Sequence, residues 1–184
     1  MDLVPGRDCG KCTVCCTELH INQPELRKLA GVRCQNLRSD GGCAIYATRF
    51  KVCREFHCAW RVMPELSESW RPDRSGIVLI PKTKGHPLGY RADSGVEIMV
   101  LQRCALYNTE LPGLIAAWVQ GRVPLFLTIA SPIGHMARSA FLNDMVEDAV
   151  RRQDRAALVK ALEDMVDTLQ RRTPETAVFE AVTA

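Results

Sequence analysis

The chain has 184 residues, 47% hydrophobic and 24% charged, a composition that excludes wholesale disorder and collagen-like repeats. Its net charge is +3, and the excess falls in residues 1–75, where 12 Lys and Arg face 9 Asp and Glu. So small a bias is too weak to argue for nucleic acid or a membrane surface, and neither partner is expected.

In chain order, residues 9–20 read as loop and turn around closely spaced cysteines. Residues 22–31 predict a short helix, with Asn22 as cap, Pro24 in the first turn, Glu25 reaching back to the cap amide and Gly31 as the stop. Residues 34–43, with Ser39-Asp40-Gly41-Gly42, predict a turn-rich loop. Residues 44–58 are more helical in character, and Pro64 and Pro72 mark a link to the back half.

Beyond residue 75 the period changes. Residues 76–81, 86–92 and 96–103 read as strands, with Asp93-Ser94-Gly95 as a hairpin connection between the last two. Residues 109–120 read as a helix capped by Thr109, with Pro112 in its first turn and Gly121 after its end. Residues 123–130 form another apolar strand, so the strand–helix–strand order permits a crossover. Two apolar stripes follow. Phe141, Leu142, Met145, Val146, Ala149 and Val150 make the first; Leu158, Leu162, Met165, Val166 and Leu169 make the second. They predict a helix pair broken at Gln153-Asp154, and residues from Thr173 onward are expected to be loosely held. The fold class expected is α+β: a loop-rich, metal-stapled cysteine region, residues 1–63, followed by residues 64–184, a small antiparallel or mixed sheet covered by C-terminal helices. The two can pack as one compact domain. The back half serves as a scaffold or offers a surface to a protein partner.

Cysteine is the anomaly. Of nine, eight lie within the first 58 residues, and Cys104 stands apart. No stretch has the length of a signal peptide's apolar core or the ~20 apolar residues of a membrane span, so a cytoplasmic location is expected. Thiols stay reduced there, and a dense cysteine pattern points to metal or catalysis before a disulfide framework. The pattern opens Cys9-Gly-Lys-Cys12-Thr-Val-Cys15-Cys16 and continues through Cys34, Cys43, Cys53 and Cys58. Two residues between cysteines let a turn aim both sulfurs at one point, and thiolate is a preferred ligand of zinc and of iron–sulfur clusters. The triple C-x2-C-x2-C spacing suits three corners of a [4Fe-4S] cubane, but the x3-C-P of the ferredoxin run is missing. Eight thiolates allow two closed zinc sites, or one cluster with four spare thiols, and spacing does not divide them. Cys15 and Cys16, being adjacent, are expected to do different jobs.

The front segment has few aliphatic residues, and structural zinc contributes about 10–16 kcal/mol of binding energy that is also folding energy in small finger peptides. A metal therefore supplies what a thin core does not. A thiol switch using Cys15/Cys16 and Cys53/Cys58 is a further alternative.

The opening motif, the Gly42-Cys43-Ala44-Ile45-Tyr46 turn and the Cys53-Arg54-Glu55-Phe56-His57-Cys58 close resemble the YkgJ-type CxxCxxCC cysteine-cluster family, described as a zinc- or iron-chelating domain. The resemblance covers about residues 9–60 and implies chelation by the eight cysteines. Flagellin lysine N-methylases carry a similar cluster, but no resemblance to them extends outside it, so methyl transfer is not inferred.

Around the cluster, His20 and His57 are candidate replacement ligands. Arg54, and less so Lys11, could donate to sulfur, while Tyr46, Phe56 and Trp60 could shield the centre. Cys104 reads as a buried residue of an apolar strand, and His86 and His135 as loop histidines. The loop Ser131-Pro132-Ile133-Gly134-His135 follows a strand, where a ligand loop could sit, and Gly85–Gly89 reads as a turn. An enzyme reading would need a substrate cleft near the cluster involving Arg91 or His135, and no catalytic residue is assigned.

Overall fold

The computed structural model describes residues 2–85, 87–91 and 94–179. Two sheets form. The first is a hairpin of β1 (Ile21–Gln23) and β2 (Leu26–Lys28). The second has four strands in spatial order β3 (Ile77–Lys82), β4 (Gly95–Val100), β5 (Leu125–Ile129) and β6 (Arg138–Phe141). Its β4–β5 pair is parallel and the others antiparallel. The parallel pair requires the crossover expected from the sequence, supplied by a 3₁₀ turn at Arg103–Tyr107 and helix α5 (Leu111–Gln120).

Strand alternation explains the layering, since successive side chains of a strand face opposite ways. Ile77 and Leu79 of β3, with Val96, Ile98 and Val100 of β4, join the main core, together with α5, α6 (Asn143–Arg151) and α7 (Arg155–Arg171). Val78 and Met99 face the other way and pack with Val14 from the cysteine-rich segment, with Cys12, Leu19 and Cys58 against them. The sheet is therefore sandwiched, helices on one face and the cysteine region on the other. That is why β3 and β4 carry near-continuous apolar runs. Each fully buried Leu or Ile here contributes about 1.5–3 kcal/mol of transfer free energy.

Ala59 and Trp60 of α3 (Ala59–Val62), Leu66 and Trp70 enter the main core as well. Apolar packing thus crosses residue 63 without a break. The link between Pro64 and Pro72 is anchored to that core by the buried side chains of Leu66 and Trp70, with a 3₁₀ turn at Glu68–Trp70 and helix α4 (Pro72–Ser75). Trp70 is held by Glu110, whose carboxylate accepts from its Nε1 at 2.8 Å and from Ser69 at 3.0 Å.

Several local expectations are corrected. The predicted helix over 22–31 is the β1–β2 hairpin, turned at Pro24-Glu25. Pro24's fixed φ suits a turn as well as a helix start, and the alternating burial of Leu26 and Lys28 decides for strand. Residues 87–91 form turn and coil, not strand, while His86, Ala92 and Asp93 lie outside the described residues. The hairpin at this point joins β3 to β4 instead. Residue Glu110, not Thr109, is the N-cap of α5, and the Asn108 side chain accepts from the Glu110 amide. Phe141 belongs to the unanticipated edge strand β6, and Met145 is exposed. Gln153-Asp154 does break the helix pair: Gln153 has φ 53° and Asp154 caps α7 by accepting from Ala157 N. Of the residues from Thr173 onward, Glu175 and Ala177 are tied down, with Met136 N donating to Glu175 O and Ala177 N to Gly134 O at 2.8 Å each, and residues 180–184 lie outside the described residues. No helix among the described residues is long and apolar enough to cross a membrane.

Candidate metal centre

Four chain segments bring the cysteines together, and backbone hydrogen bonds hold each in place. Cys12 N donates to Cys9 O at 2.8 Å, closing the first turn. Cys15 and Cys16 follow on the short helix α1 (Val14–Thr17). Cys34 N then donates to Cys16 O at 2.9 Å, which pins the second segment to the first. The third arrives through Gly41 and Gly42, at φ 91° and 78°. These are left-handed conformations open to glycine at little steric cost. A Cβ on Gly42 would meet Gly10 O at 3.2 Å, so the missing side chain lets Cys43 approach the Cys9–Cys12 turn. Cys53 lies on helix α2 (Lys51–Glu55), to which the hairpin turn is linked as Val52 N donates to Glu25 at 3.4 Å. Cys58 caps α3, which Arg7 clamps by donating to the carbonyls of Trp60, Met63 and Leu66.

All eight clustered cysteines line one cavity of about 360 Å³ between this region and the sheet. Its wall includes Tyr46, Phe50, Phe56 and Trp60, together with Val78 and Ile80 from β3. The charged residues on it are Arg49, Arg61 and Arg71, and no Asp or Glu is among its lining residues. Soft sulfur donors without carboxylates suit zinc or iron–sulfur centres and not the oxygen-seeking calcium or magnesium. His20 also lines the cavity, and its Nδ1 is buried with no hydrogen-bond partner. Its ring stacks on Phe179 at 5.4 Å. His57 is not a lining residue. Among the described residues no group of three or more His, Cys, Asp or Glu is arranged to hold a metal ion as it stands. The sulfurs surround a shared space without converging on a point.

Electrostatics within the cavity divide the thiols. Burial pushes the Cys12 thiol up to about 11, and burial also raises Cys53 and Cys58. Cys15 and Cys16 share a hydrogen bond in which Cys15 keeps the proton. Cys15 is thereby raised, while Cys16 is lowered to about 7, helped by the positive charges of Lys28 and Arg49. The two thiols of the adjacent pair thus differ in acidity, and both line the same space.

Two interior cations accompany the sulfurs. Lys28 is buried and donates to the carbonyls of Thr17, Leu29 and Val32 at 2.9, 2.9 and 2.8 Å. Burial lowers its pKa against the opposing pull of Cys34 and Cys16. Arg61 is buried, and its Nη1 donates to Cys9 Sγ at 3.3 Å. Burial opposes the charge on Arg61, but hydrogen bonds to Tyr46 and Cys9 outweigh it and raise its pKa.

Arg61 therefore occupies the place expected for Arg54 or Lys11, both of which are exposed, Arg54 donating instead to the Arg49 carbonyl. The nearest sequence signal for Arg61 was a cation three residues beyond Cys58; nothing local marked Lys28. Trp60 and Phe56 do wall the cavity, and Tyr46 lines it while remaining partly open to solvent. Cys104 is corrected from buried strand residue to an exposed position on the 3₁₀ turn Arg103–Tyr107. It borders a separate open groove of about 830 Å³ that includes none of the other eight cysteines. Neither Arg91 nor His135 lines the cysteine cavity.

No family model, curated protein or solved structure matches this chain.

Proposed function

We propose that this protein is a metal-binding module that holds zinc or iron through Cys9, Cys12, Cys15, Cys16, Cys34, Cys43, Cys53 and Cys58. The observation that carries this reading is the shared cavity: eight thiols from four segments line it, with no carboxylate among them. Burial alone gives a poor account of such a wall, because thiols whose pKa values are raised by desolvation stay protonated and contribute only as small apolar groups. Metal ions deprotonate coordinating thiols outright, and drawing the sulfurs inward couples binding to local ordering. The C-x2-C-x2-C spacing of the opening motif points to the same chemistry.

Within it, the chain's own groups have separable tasks. The Gly41-Gly42 turn and the Cys34-to-Cys16 hydrogen bond bring distant sulfurs alongside the opening motif. The aromatic wall and β3 exclude water from one side, and Arg61 donates to a donor sulfur. The metal when bound supplies a fixed tetrahedral crosslink if zinc, or one-electron chemistry if an iron–sulfur cluster.

A second reading, an iron–sulfur redox protein or electron carrier, is favoured by cavity size. A single ion with sulfurs about 2.3 Å away leaves little space among them, whereas about 360 Å³ has room for a polynuclear centre. Metal and acid-labile sulfide assays on anaerobically purified protein test both. Stoichiometric zinc without sulfide supports the structural reading, and iron with equivalent sulfide supports the cluster. Less than about half an equivalent of any transition metal per chain, in apparent affinity terms a site empty at working concentrations, overturns both.

A further inference from the structure

Charge constrains the centre in a way that the sulfur donors alone do not. Lys28 and Arg61 are the two buried charged side chains among the described residues, 5% and 7% exposed. Both are cations, and no Asp or Glu of the described residues forms an ion pair with either. A buried charge without an opposite partner is costly. Glu18 acts on Lys28 only beyond ion-pair distance, and Arg61 is met by Tyr46 and by a sulfur, its Nη1 touching Cys9 Sγ at 3.3 Å. Its Nε, and the Nε1 of neighbouring Trp60, are buried donors with no acceptor. Both residues line the cysteine cavity.

We infer that the centre held in this cavity is anionic and that Arg61 is its positioning counter-ion, donating to the Cys9 sulfur and offsetting the charge of the thiolates. This rests on the metal-binding reading above. A divalent ion held by four thiolates carries two net negative charges, and the cations near the sulfurs are Lys28 and Arg61 in the interior with Arg49 and Arg71 on the cavity wall. Arg61 stands on α3, braced by the Val4 amide donating to its carbonyl at 2.8 Å and by the Arg7 clamp on the adjoining carbonyls. The backbone at Arg61 is therefore fixed, and the guanidinium itself is held by Cys9 and Tyr46. Lys28 spends its ammonium on three carbonyls and acts by charge alone. A purely structural Arg61, present only to fill space beside Trp60, would not require a charge.

Cobalt(II), loaded anaerobically as a zinc surrogate, is the probe, with sulfur-to-cobalt charge-transfer absorption and release to EDTA as readouts. Arg61→Met is expected to move the absorption to longer wavelength, because a thiolate stripped of a cationic donor gives up an electron more easily. It is also expected to release cobalt about 10–100-fold faster, the usual range for loss of a partner to a ligand. Arg61→Lys keeps the charge and restores most of the retention. A folded Arg61→Met with unchanged absorption and release overturns the inference, as does an Arg61→Lys as leaky as Arg61→Met. Should Arg61→Met fail to fold, Arg61→Gln, which keeps length and a donor but no charge, is judged on the same readouts by the same criteria. A wild-type protein without any thiolate–cobalt absorption overturns the metal-binding reading itself, a result distinct from the other two.

Discussion

Replacing Gly42 by Ala perturbs the approach of Cys43 to the first cysteine turn, and Gly6→Ala provides an internal reference. Both glycines have φ 78°, but a Cβ at Gly6 meets nothing within 4 Å, whereas one at Gly42 meets Gly10 O at 3.2 Å. The backbone cost of a left-handed alanine, about 1–2 kcal/mol, is shared by the two variants. It is partly offset in both by about 0.4–1 kcal/mol from reduced freedom of the unfolded chain. Their difference isolates the contact. Gly10 O belongs to the loop between Cys9 and Cys12, so relief requires that loop and the Cys43 turn to separate by a few tenths of an ångström. Metal–ligand distances tolerate about 0.2 Å, so the shift bears on binding as well as folding. We expect Gly42→Ala to lose about 1–2 kcal/mol more than Gly6→Ala, in the range of ordinary overpacking. Its metal affinity should fall about tenfold or more, the equivalent of 1.4 kcal/mol. Urea denaturation of metal-free protein and competition with a chromophoric chelator measure the two quantities. Equal stabilities and affinities for the two variants would refute the claim that this close approach positions Cys43.

Thiol labelling follows the local electrostatics. In metal-free protein at pH 8, Cys16, lowered to about 7, should react about tenfold faster with iodoacetamide than Cys12, raised to about 11. The thiolate fraction favours Cys16 by about a thousandfold, and the weaker nucleophilicity of a low-pKa thiolate returns most of that. Peptide mass spectrometry reads the order, and faster labelling of Cys12 contradicts it. Metal loading should protect the eight clustered cysteines while exposed Cys104 continues to react. Glu110 is held below its usual carboxylate range by hydrogen bonds from Ser69 and Trp70. A depressed folded-state pKa stabilises above the unfolded value and is lost as pH falls through the folded one. Glu110→Gln should therefore flatten the acid side of the stability–pH curve below about pH 4.5, and an unchanged curve argues against that role. Met99→Ala should cost about 2–5 kcal/mol, because Met99 is 3% exposed and packs with Val14 and Val78. It should also speed proteolysis within residues 9–58 more than Ile98→Ala does, since Ile98 faces the helices; equal proteolysis of the two variants contradicts the layering.

Short-range chemistry was legible in the residues themselves. The C-x2-C spacings, the glycine pair before Cys43, the α6 and α7 stripes and the break at Gln153-Asp154 are features of a few neighbouring positions, and each has a local physical cause. The mixed sheet was legible to the same degree, because strand, helix, strand in succession leaves few topologies. Local signals failed where one residue serves two structures equally. Pro24 suits a helix start and a hairpin turn alike, and Arg138–Phe141 is a short edge strand with too little alternation to declare itself.

Tertiary structure alone decided what the cysteines share. Nothing in the spacing of Cys34, Cys43, Cys53 and Cys58 places them around the space that Cys9–Cys16 enclose, since loop closures of ten or more residues permit many geometries at similar entropic cost. Nor does the chain announce that β3 presents Val78 and Ile80 to that space, or that Arg61, rather than Arg54, meets a sulfur. Those outcomes depend on which face of the sheet is covered by which layer. Burial on both faces is a property of the assembled whole, and a side chain's neighbours across a fold are not encoded in its neighbours along the chain.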